Sequence, residues 1–120
     1  NLFKSKNIRT SLFVDPEEKF IKGAKETGTD RIELYTESYA ANYKSDREKA
    51  ISTYIKAAEL AKKLDLGLNA GHDLNLENLK YFSSNIMNLK EVSIGHAVIA
   101  DALNYGMENT VNMYLRELRK

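Results

Sequence analysis

The 120 residues contain no cysteine, a single proline and only two histidines. Without thiols there are no disulfides, no thiolate nucleophile and no cysteine-ligated metal, a composition that fits a reducing compartment, so a cytoplasmic location is expected. One proline and no Gly/Ser-rich or low-complexity run leave no visible linker, and residues 1–120 read as one structural unit. No stretch approaches the roughly 20 apolar residues of a membrane-crossing helix. The first residues lack the apolar core of a signal peptide, so neither membrane insertion nor export is expected. Neither charge sign dominates: 18 basic and 17 acidic side chains give a formal charge of +1. That leaves too weak a field to gather nucleic acid or anionic membrane non-specifically.

What is present is a soluble-type composition, 42% hydrophobic, with its two histidines placed alike. Each follows a glycine that closes a short apolar run, Leu66-Gly67-Leu68-Asn69-Ala70-Gly71-His72 and Val92-Ser93-Ile94-Gly95-His96. A glycine lets the backbone turn sharply or approach a ligand, and strand ends are where α/β enzymes keep their chemistry. Two loops that each carry an imidazole there point to one shared site.

Hydrophobic periodicity alternates four times between a short β-type run and a helical stretch, the pattern of βα units building a parallel α/β sheet. Strands are expected near Arg9–Val14, Arg31–Tyr35, Leu66–Ala70 and Glu91–Ile94. A helix opening at Asp15-Pro16-Glu17-Glu18 has an acid cap, a proline at its first position and Gly28 at its end. A second starts at the capping box Ser45-Asp46-Arg47-Glu48 and turns Ile51, Tyr54, Ile55, Ala58 and Ala61 toward the sheet. A shorter one follows the cap Asn75 and buries Leu76, Leu79 and Phe82. The fourth runs from Gly95-His96 to about Gly106. The last starts near Glu108, with Val111, Leu115 and Leu118 as its apolar stripe and a basic end that complements the helix dipole. The seven tyrosines read as packing residues.

Four units in 120 residues average about 30 each, and a (β/α)8 barrel spreads about 250 residues over eight. The chain therefore has the length of half a barrel. Four parallel strands alone would leave two edges of unpaired backbone groups, which invite pairing with another chain.

Asn69-Ala70-Gly71-His72 followed by Leu74, and Ser93-Ile94-Gly95-His96-Ala97-Val98-Ile99-Ala100, resemble the pyridoxine 5′-phosphate synthase family, barrel enzymes that close the vitamin B6 ring. Glu33-Leu34-Tyr35-Thr36 ahead of Tyr39-Ala40, and Ser11-Leu12-Phe13-Val14-Asp15 before Pro16, look like the same family in the same order. The resemblance covers the whole chain and implies the C-terminal half of a (β/α)8 TIM barrel, strands five to eight. It further implies condensation of 3-amino-2-oxopropyl phosphate with 1-deoxy-D-xylulose 5-phosphate, releasing phosphate and water, without metal or organic cofactor. Partners implied are these phosphorylated small molecules, the N-terminal half of the same barrel and further copies of the chain in an octamer.

Carried over residue by residue, His72 matches the family's proton donor, and Glu33 matches a strand-end glutamate that stabilises the transition state. Asp73, Gly95 and His96 match substrate-binding positions. The chemistry suits these types: imine formation and dehydration need groups that titrate near the working pH, as histidine does. The N–H groups at the start of the helix after Gly95 suit a phosphate. In bland terms, His72 hydrogen-bonds a neighbouring loop, Gly95 permits a tight turn capped by His96, and Glu33 pairs with Arg31 or Arg9. Asp15 is assigned to helix capping and left out of the site. Two positions depart from the family: Asp73, either beside the phosphate or turned away to cap the next helix, and Glu37, on a rim loop, stand where glycine is common. The family's N-terminal half supplies a further histidine, a glutamate base and arginines to a second phosphate, so these 120 residues alone are expected to be inactive. The alternatives are a non-catalytic half-barrel that binds a phosphorylated metabolite or pairs with a second half-barrel, and an unrelated phosphosugar isomerase or aldolase.

Overall fold

The computed structural model describes residues 2–119. After one helical turn, α1 (Leu2–Ser5), the order is β1 (Ser11–Val14), α2 (Glu18–Glu26), β2 (Arg31–Tyr35), α3 (Glu37–Lys63), β3 (Gly67–Gly71), α4 (Leu79–Asn85), β4 (Leu89–Ser93), α5 (His96–Tyr105) and α6 (Met107–Leu118). The strands pair in parallel in the order β1-β2-β3-β4. All four expected strands are present, β1 starting two residues later than expected and β4 two residues earlier. No helix among the described residues is long and apolar enough to cross a membrane.

The strand period of two divides the sheet into unlike faces. On one, Ile32 and Leu34 stand level with Leu68 and Ala70, and all four are buried with Ile21, Tyr39, Ile51, Tyr54, Leu79 and Phe82 of the helices. On the other, the register aligns Phe13, Glu33, Asn69 and Glu91 across all four strands. There Arg31 Nη1 lies 2.9 Å from Glu91 Oε1 and donates to Asn69 Oδ1 at 3.2 Å, while Arg9 Nη2 reaches Glu91 Oε2 at 3.1 Å. Desolvation pushes the Glu91 carboxyl up, but the two guanidinium charges outweigh it and leave it below the ordinary carboxylate range. Parallel sheets are normally covered on both faces. Here Phe13 remains 55% exposed, and among the described residues no helix or strand covers the second face or pairs with the outer edges of β1 and β4, Asn69 being buried by its side-chain neighbours.

Helix boundaries follow local hydrogen bonding more closely than composition. Helix α2 begins at Glu18, with Glu17 at the N-cap and no side-chain cap; Asp15 is therefore not the cap expected, and its carboxylate has no hydrogen-bond or ion-pair partner among the described residues. Gly28, at φ +77°, ends that helix as expected. The largest departure is α3, which starts at Glu37 and not at Ser45, so Glu37 belongs to a first helical turn and not to a rim loop. The helix is interrupted at Asp46 (φ −159°, ψ 87°), whose Oδ1 accepts from Lys49 N at 2.9 Å. Asp46 is thus an internal N-cap, one residue beyond the expected Ser45, whose hydroxyl instead donates back to Asn42 O. Asp46→Ala should cost about 1 kcal/mol by removing this cap, read as a lower urea midpoint with an unchanged slope.

The stripe expected on α6 is corrected as well. Val111 and Leu115 face outward, and Thr110 and Tyr114 are the buried pair. Leu118, the third member of the stripe, does pack against the core, but the surface that Val111 and Leu115 face holds no element among the described residues, and Ile99 and Leu103 of α5 are exposed too.

Candidate active site

The carboxyl ends of β1 to β4 bring Asp15, Thr36, His72-Asp73 and Gly95-His96 to one rim of the sheet. The loop after β3 is the least relaxed of the four: His72 (φ 86°) and Asp73 (φ 59°) are consecutive left-handed residues that carry side chains. Such conformations cost on the order of 1–3 kcal/mol each and persist only where the surroundings hold them. The holding groups are visible. Thr36, fully buried, donates its N–H to Gly71 O at 2.9 Å, and its hydroxyl lies against the carbonyls of Gly71 and His72. On the other side Asn78 donates its amide to Asp73 O at 3.2 Å.

Asn78 is itself fixed. Its Oδ1 accepts from Asn75 N at 2.9 Å, while Asn75 Oδ1 accepts from Asn78 N at 3.1 Å, a reciprocal capping box built from two asparagines. The buried Tyr39 hydroxyl donates to Asn78 O at 2.7 Å. The expected cap is corrected by three residues: Asn78 is the N-cap of α4, and Asn75 caps the turn that leads into it. Asn78, Thr36 and Tyr39 are positioning residues that sequence reasoning missed. Only the Asn-x-x-Asn spacing could have signalled one of them.

The loops meet at Asp73. His72 Nδ1 lies 3.1 Å from Asp73 Oδ2, and His96 Nε2, from the first turn of α5, lies 3.5 Å from Asp73 Oδ1. Asp73 does not turn away to cap α4; its carboxylate spans the two imidazoles. The Tyr35 ring meets the His72 ring edge-on at 4.9 Å and Phe13 at 5.2 Å, so this tyrosine, read above as packing, belongs to the rim. Partial burial, then the charges of Glu37, Asp73 and Asp15, push its phenol above the ordinary value.

Glu33 sits one layer below. A methyl group placed on Gly71 would lie 2.5 Å from Glu33 Oε1 and 3.0 Å from Ser93 O, so Gly71 is the opening that admits this carboxylate between β2 and β4. Glu33 forms no ion pair among the described residues. The arginines that might have neutralised it, Arg9 and Arg31, are engaged by Glu91. Gly95, at the N-cap of α5, has nothing but its chain neighbours within 4 Å of where a side chain would begin, among the described residues. The approach to the first N–H groups of that helix is open, an arrangement that suits an anion.

Titratable side chains gathered at the carboxyl ends of parallel strands place the molecule among the α/β proteins that build their sites from strand-end loops. The family model described as "Pyridoxal phosphate biosynthesis protein PdxJ" matches residues 1–120, and the chain belongs to that family. It is 58% identical over 118 residues to the pyridoxine 5′-phosphate synthase of Cytophaga hutchinsonii, covering 98% of this chain and 50% of that protein. It is 57% identical over 117 residues to the synthase of Flavobacterium johnsoniae, covering 98% and 49%. The Parabacteroides distasonis synthase is 59% identical over 112 residues, covering 93% and 47%. The chain thus spans about half the length of the curated relatives it matches.

Proposed function

We propose that this chain forms the C-terminal four βα units of a (β/α)8 barrel in a pyridoxine 5′-phosphate synthase. In that enzyme 3-amino-2-oxopropyl phosphate and 1-deoxy-D-xylulose 5-phosphate condense to pyridoxine 5′-phosphate, releasing phosphate and water. The observation that carries this reading is the meeting of the two Gly-His loops at Asp73, one layer above Glu33, which has no ion-pair partner among the described residues. A barrel accounts for the unlike faces of the sheet. Closing it with four more strands pairs the free edges of β1 and β4 and encloses the layer that carries Phe13, Glu33, Asn69 and Glu91.

In this reading His72, half-exposed on the rim, hands a proton to oxygen that leaves the substrate as water. Glu33, with no ion-pair partner among the described residues, is available to the cationic imine and ammonium groups of the reacting aminoketone. Gly95 and His96 receive that substrate's phosphate on the open N-terminus of α5. Asp73 adjoins this phosphate position. The remaining half of the barrel supplies the second phosphate site and the other acid–base groups. Incubating the complete protein with both substrates should yield pyridoxine 5′-phosphate by mass spectrometry, and omitting either should abolish it. Absence of product from both substrates together would overturn the assignment.

A further inference from the structure

The resemblance leaves unexplained why this chain carries aspartate where the family commonly has glycine. At φ 59° glycine would be the less strained residue. The carboxylate is not diverted to helix capping or to a lysine or arginine; its partners among the described residues are the two imidazoles, at 3.1 and 3.5 Å. Its backbone is pinned through its carbonyl to the buried Asn78, so the side chain is delivered to a fixed place.

We propose that Asp73 is a positioning residue whose carboxylate, set between His72 and His96, holds the proton on His72 Nδ1 and leaves Nε2 to exchange protons with the substrate. This rests on the reading of His72 as proton donor. When His72 is doubly protonated, Nε2–H faces outward and Nδ1–H faces Asp73. Donation moves the Nε2 proton to the leaving oxygen, which departs as water, and the Nδ1 proton stays between ring and carboxylate. The tautomer left behind is the one Asp73 favours, so the same contact steadies His72 before and after transfer, as the aspartate of a serine-protease triad does for its histidine. The Tyr35 ring, edge-on at 4.9 Å, limits rotation of the imidazole. The same negative charge opposes a phosphate arriving at Gly95-His96, so the arrangement improves proton transfer at the expense of anion affinity.

The test uses the complete protein with nitrogen-15-labelled histidine, the His72 signals being assigned with His72→Gln. Neutral His72 should carry its proton on Nδ1, and Asp73→Gly should return it to the Nε2–H form. In the same variant kcat should fall by at least about tenfold, a triad that loses the correct histidine tautomer falling by up to about 10⁴. KM for the aminoketone phosphate should fall as well, and the melting temperature should not drop, because glycine suits this backbone. A purely structural aspartate would not lower kcat and KM together without loss of stability. Asp73→Asn removes the charge and can turn its amide N–H toward Nδ1, so it too should move the proton to Nε2 and lower kcat, as the same change does in a serine-protease triad. An Nε2–H tautomer in the unaltered protein, or an unchanged tautomer and kcat in Asp73→Gly, would overturn the proposal. Full activity of His72→Gln would instead sink the proton-donor reading, and the tautomer would still report whether Asp73 orients the ring.

Discussion

Replacing His72 by glutamine should lower kcat of the complete protein by about 10²–10⁴-fold, the usual contribution of a positioned general acid. Glutamine keeps the size and polarity of the side chain but cannot carry a transferable proton. The side chain is 52% exposed and its ring packs on the rim residue Tyr35, outside the buried core, so folding should be nearly indifferent to the change. The loop is held through the carbonyls of Gly71, His72 and Asp73, which glutamine at 72 leaves in place. Steady-state kinetics and a thermal melt on the same preparation check both halves. The expected outcome is lost turnover with nearly unchanged KM and melting temperature. A variant that keeps most of its kcat would remove His72 from the chemistry.

Glu33→Gln should cost about 10²–10³-fold in kcat, comparable with removing one preorganised electrostatic group from a site. The nearby arginines are occupied by Glu91, so the negative charge of Glu33 is uncompensated among the described residues. Such a carboxylate stabilises a developing cation more than one already in an ion pair. Glutamine has the same shape and removes only the charge. Gly71→Ala should reach a similar loss sterically, because its methyl group would stand 2.5 Å from Glu33 Oε1 and force that side chain aside. Equal kcat in Glu33→Gln and the unaltered protein would mean that the charge has no part in the reaction. Glu91→Gln provides the contrast, since its carboxylate ties Arg9, Arg31 and Asn69 together and its loss should register first in stability.

The strands were legible because alternation and flanking glycines are local signals, and β2, with Ile32 and Leu34 inward and Arg31, Glu33 and Tyr35 outward, obeys them fully. The two Gly-His loops were legible for the same reason. The first half of α3 was not. Its break at Asp46 made the capping signal there look like a beginning, although Tyr39 and Tyr43 already stood at helical spacing upstream. On α6 the pattern identified apolar residues correctly and said nothing about whether a partner exists to cover them, which is why Val111 and Leu115 were expected inside. Within the site, the types and positions of His72, Glu33, Gly95 and His96 could be read from the chain. The clamp of Thr36 and Tyr39 and the reach of Asp73 to His96 could not, because they join residues about 20 to 40 positions apart through contacts that only the packed fold creates. The contacts of Asp73 with Asn78 and His72 are local but depend on its left-handed backbone.

A site divided between this chain and the remainder of a barrel is the central claim, and turnover measured side by side on the isolated 120 residues and on the complete protein tests it most directly. The complete protein should form pyridoxine 5′-phosphate and the isolated chain should form none. Full turnover by the isolated chain would contradict the account, since every group it assigns to the missing half would then be dispensable.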